Sequence, residues 1–128
     1  MNEFIPEKDL FGKRVLLVDD SEINRLVAIE MLETYGIVTD SAGNGREAVA
    51  KIATSADRYM AVLMDVQMPV MDGYAATRII RDTPGCRDLP VIAMTAHALE
   101  NERILCINAG MNDYLPKPID PRKLHDIL

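Results

Sequence analysis

The chain has 128 residues, enough for one domain with its own core and too few for two. Hydrophobic residues make up 48% and charged ones 27%, the balance of an ordinary globular domain, and no apolar run approaches the length a bilayer span needs. Fourteen Lys+Arg against twenty Asp+Glu give a formal charge of −6, which argues against direct contact with nucleic acid or an anionic membrane, since both need a positive field.

Residues 1–12 are mixed in charge, contain Pro6, and read as an N-terminal linker without the basic start and apolar stretch of a signal peptide. Residues 13–128 read as the folded domain. Its first strand is Val15-Leu16-Leu17-Val18, apolar on both faces as a strand between helix layers must be. A helix over 22–35 follows, with Asp20 or Ser21 as its cap, Ile23, Leu26, Val27 and Met31 as its apolar stripe, and Gly36 as its stop. Ile37-Val38-Thr39 is a weaker strand that suits a sheet edge. The helix over 45–54 opens after an Asn44-Gly45 turn and buries Ala48, Val49 and Ile52. Ala61-Val62-Leu63-Met64 is the third strand. Asp72 caps a helix over 73–81, Val91-Ile92-Ala93-Met94 is the fourth strand, and a helix over 97–108 ends near Gly110. Tyr114-Leu115 is a short fifth strand, and Leu124, Ile127 and Leu128 begin a last helix after Pro121. Cys86 and Cys106 have neither disulfide nor metal spacing and read as thiols of a reducing compartment, so the expected location is cytoplasmic.

Five strands alternating with five helices predict an α/β fold with a parallel sheet and right-handed crossovers. The common doubly wound order for five strands, 2-1-3-4-5, sets strand 1 beside strand 3 and puts a ligand site at their carboxyl ends. Asp19 and Asp20 end strand 1, and Asp65 ends strand 3. Any one of them could be a helix cap. Three together repel and raise one another's pKa unless a cation lies between them, and a hard divalent ion such as Mg²⁺ suits such oxygen ligands. Thr95 at the end of strand 4 and Lys117 after strand 5 add a hydroxyl and an ammonium to the same edge. That combination suits a dianionic phosphoryl group.

At these residues the sequence resembles the receiver domain of response regulators in two-component signalling. The blocks that carry the likeness are Val18-Asp19-Asp20, the run from Met64-Asp65 to Met71-Asp72-Gly73, Met94-Thr95-Ala96 and Leu115-Pro116-Lys117-Pro118. The resemblance implies a flavodoxin-like fold in which Asp65 takes a phosphoryl group from a phosphohistidine. It implies Asp20, Asp65 and the Gln67 carbonyl as Mg²⁺ ligands, with Asp19 acting through water. Lys117 and Thr95 then contact phosphoryl oxygens, Ala96 leaves the site open, and Thr95 moves with Tyr114 to change the strand 4–helix 4–strand 5 face. Gln67 and His97 flank the site where the family tunes phosphoryl loss, and Pro118 stands where the family has a cis peptide.

Glu22-Ile23-Asn24-Arg25 and Met94-Thr95-Ala96-His97-Ala98 look like receivers of hybrid sensor histidine kinases. Residues 4–13 then end a linker from a kinase domain. The implied partner is a histidine kinase or a histidine-phosphotransfer domain docking near Asp65 through the first helix. The domain itself is a phosphoacceptor and not a turnover enzyme. Other readings are a stand-alone regulator and an interaction module independent of phosphorylation. Gly43-Asn44-Gly45-Arg46-Glu47-Ala48 matches a dinucleotide fingerprint, but it follows the second strand, and an Asn-Gly turn explains it. A phosphatase with an aspartate nucleophile needs Asp-x-Asp, whereas Asp65-Val66-Gln67 has no second acid.

Overall fold

The computed structural model describes residues 10–68, 70–96, 100–117 and 119–128. The elements run β1 (Arg14–Val18), α1 (Glu22–Glu33), β2 (Val38–Ala42), α2 (Gly45–Ser55), β3 (Ala61–Asp65), α3 (Gly73–Asp82), β4 (Val91–Thr95), α4 (Glu100–Ala109), β5 (Asp113–Pro116) and α5 (Pro121–Ile127). The five strands form one parallel sheet in the order β2-β1-β3-β4-β5, as the alternating pattern predicts. The start expected for the fourth helix, at His97, lies outside the described residues, as do residues 1–9, Pro69 and Pro118.

Alternation along the strands divides the core into two layers. Leu16, Val18, Val62 and Met64 face the layer built from α2, α3 and α4, which contribute Ala48, Ile52, Ala76, Ile80 and Cys106. Val15, Leu17, Leu63 and Met94 face the opposite layer, closed by Ala28 and Leu32 of α1 and Leu124 of α5. Leu10 is buried in this second layer, and the Gly12 N–H donates to the Gly36 carbonyl, so packing reaches into the segment that precedes β1. Both cysteines are free and buried.

Two sequence expectations need correction. The second strand starts at Val38 and extends to Ala42, because backbone pairing with β1 carries it through the polar residues Thr39, Asp40 and Ser41 at the sheet edge. Most of the expected apolar stripe of α1 is also not its core face, Met31 alone of the four packing against the core. Ile23, Leu26 and Val27 are 73%, 60% and 55% exposed, while Ala28 and Leu32 carry the burial.

The two leucines of α1 should therefore respond differently to truncation. Leu32→Ala should cost about 2–5 kcal/mol in urea unfolding, the usual range for a cavity in a packed core. Leu26→Ala should stay within about 0.5 kcal/mol, as surface substitutions do.

Candidate functional site

Parallel pairing of β1 with β3 brings their carboxyl ends together, so Asp19 and Asp65 meet where the crossovers change direction. Asp19 and Asp65 are buried, Asp20 is exposed, and one carboxylate oxygen from each lies within 4.8 Å of the others. Lys117, just past β5, donates from Nζ to Asp19 Oδ2 at 3.2 Å and pairs with Asp65 Oδ2 at 3.3 Å. Its own N–H donates to the Thr95 carbonyl at 2.7 Å, which anchors the lysine beside the end of β4.

Each buried carboxylate is also fixed from its own loop. Asp19 Oδ1 accepts the Ser21 N–H at 2.9 Å, and Asp65 Oδ1 accepts the Gln67 N–H at 3.2 Å. Arg25 donates to the Asp19 carbonyl at 2.6 Å. Ser21 caps α1 by accepting from the Asn24 N–H, and Asp72 caps α3 by accepting from the Ala75 N–H. The glycine after Asp72 is required by close approach. A Cβ on Gly73 would lie 2.4 Å from the Asp65 carbonyl oxygen and 2.9 Å from the Val66 Cα. Only glycine lets α3 start this close to the main chain at the end of β3.

Burial raises the pKa of Asp65 above the ordinary carboxylate value. The Lys117 charge and the Gln67 N–H oppose that rise, and the Asp19 charge reinforces it. For Lys117 burial acts to lower the pKa, but Asp65 and Asp19 outweigh it and hold the ammonium more firmly protonated than usual. One ammonium against three carboxylates leaves the cluster short of positive charge. Oxygen ligands, crowding and excess negative charge together fit a hard divalent cation.

The remaining expected site residues are close by but arranged differently. Thr95 is buried, and its hydroxyl lies 3.4 Å from Glu102 Oε1 of α4. Tyr114 is half-buried in β5, beside Ala93 of β4, and packs against the α3/α4 core layer. The Gln67 side chain and Ala96 are exposed. The Gly43–Ala48 fingerprint is structural. Asn44 Oδ1 accepts the Glu47 N–H, Glu47 accepts the Gly43 N–H, and a Cβ on Gly45 would lie 2.6 Å from the Met71 carbonyl oxygen. Sequence reasoning missed Glu102 and Tyr74, which donates to Glu102 Oε1 at 2.7 Å. Between Asp19, Lys117 and α1 lies a cleft of about 390 Å³, walled also by Val27, Met31 and Ile119.

Residues 15–128 match the response regulator receiver domain family. The chain belongs to that family. The receiver domain of the sensor histidine kinase PA1611 from Pseudomonas aeruginosa superposes with a TM-score of 0.84 at 43% identity, covering 91% of this chain and 93% of that one, and carries a magnesium ion in its active-site cleft. The sensor histidine kinase GacS of Pseudomonas protegens is 41% identical over 128 residues, covering 96% of this chain but 14% of its own length. The rice two-component response regulator ORR41 is 44% identical over 117 residues, covering 90% of this chain and 91% of its own. This receiver is thus homologous both to the receiver regions of hybrid kinases and to a stand-alone regulator. It spans 7–14% of the length of four histidine kinases that it matches.

The raised Asp65 pKa has a definite stability consequence. The folded state binds the Asp65 proton more tightly than the unfolded chain does. Its stabilising share is complete below the ordinary carboxylate range and is lost as pH rises through the folded value. At neutral pH the buried charge is therefore a cost. Asp65→Asn should raise the thermal midpoint at pH 7 in metal-free buffer, and the gain should shrink toward zero as the pH falls below the ordinary carboxylate range.

Proposed function

We propose that this receiver is the phosphoryl-accepting station of a phosphorelay, carried by a hybrid sensor histidine kinase, with Asp65 as the acceptor. The observation that carries this reading is the single Lys117 ammonium lying 3.2 Å and 3.3 Å from two buried carboxylates. Such a cluster is under-neutralised at rest and suited to a group that arrives with a cation. Asp65 acts as the nucleophile. A carboxylate oxygen attacks phosphorus, and the P–O bond forms as the P–N bond to the donor histidine breaks, its electron pair passing to the imidazole nitrogen. Burial favours this role by making the carboxylate more basic than one in water.

Mg²⁺ fits the oxygen-rich end of the site, with Asp20, Asp65 and the Gln67 main-chain carbonyl as ligands and Asp19 acting through water. Bound there, it supplies charge neutralisation for the phosphoryl oxygens. Lys117 binds a further phosphoryl oxygen and Thr95 donates its hydroxyl to another. Phosphorylation adds about −1.5 to −2 charges to an acidic site, so the state persists only through such contacts. Thr95 and the half-buried Tyr114 then report it to the β4–α4–β5 face.

The donor is a histidine kinase or a histidine-phosphotransfer domain, seated over α1. Ile23, Leu26 and Val27 form an exposed apolar strip on the helix that borders the site, and isolated exposed apolar groups rarely cluster so without a partner. A receiver related to this chain, from the yeast regulator Ssk1, has been crystallised with the phosphotransfer protein Ypd1, with a TM-score of 0.81 at 28% identity over 91% of this chain and 86% of that one. On this reading the domain works in the cytoplasm, as the cytoplasmic part of a membrane-bound sensor kinase. The chain's charge of −6 offers nucleic acid no positive field.

Intact-mass measurement with two donors tests acceptor and docking face together. With Mg²⁺ and acetyl phosphate, the chain should gain one base-labile phosphoryl group that is absent from Asp65→Asn and without metal. An Ile23→Asp/Val27→Asp variant should label normally with acetyl phosphate yet accept about tenfold more slowly from a phosphorylated histidine-phosphotransfer domain, the loss expected for a modest interface anchor. No adduct from either donor would remove the acceptor reading. Equal slowing with both donors would remove the docking face.

A further inference from the structure

Glu102 gathers three elements onto one oxygen. Its Oε1 accepts the Tyr74 hydroxyl of α3 at 2.7 Å and lies 3.4 Å from the Thr95 hydroxyl at the end of β4. Glu102 itself sits near the start of α4. Cys106, one turn further along α4, is buried. Burial and the neighbouring Glu102 push the Tyr74 pKa far up, so the phenol keeps its proton and remains a donor throughout the physiological range. The carboxylate is thereby held in place from α3 while it faces Thr95.

Thr95 carries one hydroxyl proton. It cannot serve Glu102 and a phosphoryl oxygen on Asp65 at the same time. We propose that Glu102, oriented by Tyr74, is a latch that holds the Thr95 hydroxyl away from the acceptor site in the unphosphorylated domain. Glu102 and Tyr74 are positioning residues in this scheme, acting on the phosphoryl group only through Thr95. Phosphorylation draws the hydroxyl off Glu102, and because Glu102 belongs to α4, the exchange also releases a tie between β4 and that helix. The inference rests on the proposed role of Asp65 and adds a named off-state partner to it. In population terms, the latch makes only a fraction of the domain competent to grip the phosphoryl group, and the apparent affinity falls by that fraction.

Beryllofluoride with Mg²⁺, a non-transferable stand-in for the phosphoryl group, gives the test, with binding followed by calorimetry on the 128-residue chain. Breaking the latch should tighten beryllofluoride binding in Glu102→Ala by about threefold to tenfold, the range one modest hydrogen bond commands. Tyr74→Phe should shift it in the same direction by less. Neither substitution should tighten binding when Thr95 is already alanine, which a merely structural role for Glu102 would not predict. Should Glu102→Ala fail to fold by circular dichroism, Tyr74→Phe decides alone. Unchanged or weakened binding in the variants, or equal tightening without Thr95, overturns the latch while wild-type binding upholds the acceptor site. Absence of wild-type binding overturns both.

Discussion

Everything at the site depends on one ammonium held between two buried carboxylates. Asp19 and Asp65 are 2% and 5% exposed and share a confined space where neither can be hydrated like a surface group. Lys117 makes that arrangement tolerable, and the sheet order makes Lys117 available. β1 and β3 are neighbours, so their terminal aspartates meet directly. β5 lies beyond β4, so the lysine must reach across the end of β4. It does so from a backbone fixed to the Thr95 carbonyl, which ties the counter-ion to the residue whose hydroxyl is expected to sense the phosphoryl group. Compensation is partial by construction. A site with matched charges would have no reason to take up a divalent cation, and one without the lysine would lose the group proposed to meet the phosphoryl oxygens.

Two different surfaces flank that cluster. Toward α1 the chain exposes Ile23, Leu26 and Val27, of which Val27 lines a cleft that has Lys117 as another wall, the face proposed to receive a protein donor. Toward α4 the contacts are internal and polar, running from Thr95 to Glu102 to Tyr74. The proposed donor face and the proposed readout thus lie on opposite layers of helices, with the packed sheet between them.

Much of this was legible in the sequence because burial and strand ends leave strong signatures. The buried positions of β1, β3 and β4 are apolar up to the strand ends, and Asp65 and Thr95 closing β3 and β4, with Asp19 just after β1, stand out against that background. β2 was not fully legible, since an edge strand carrying Thr39, Asp40 and Ser41 is half-buried and held by pairing with β1 and by the Asp40 carboxylate, which accepts from Arg14 and the Tyr59 hydroxyl. The face of α1 was misread for a related reason. Apolar residues spaced for a core stripe and apolar residues spaced for a partner look the same along a helix, and only the contact of Ala28 and Leu32 with the sheet distinguishes them. Glu102 and Tyr74 gave no signal because their meeting depends on how α3 and α4 pack. Arg81 is a further case. It reads as a surface charge ending a helix, yet it donates to the carbonyls of Cys86, Leu89 and Gly110 and to Asn112 Oδ1, pinning the loops around β4.

The most direct test of the central constraint is a carbon-13 NMR titration of the aspartate side chains in metal-free protein, with and without Lys117→Met. If Lys117 is the counter-ion that offsets the burial of Asp65, Asp65 should titrate at a distinctly higher pH in the variant than in the parent. An Asp65 titration that does not move when the ammonium is removed would contradict the account, because the cluster's charge would then be governed by some other group.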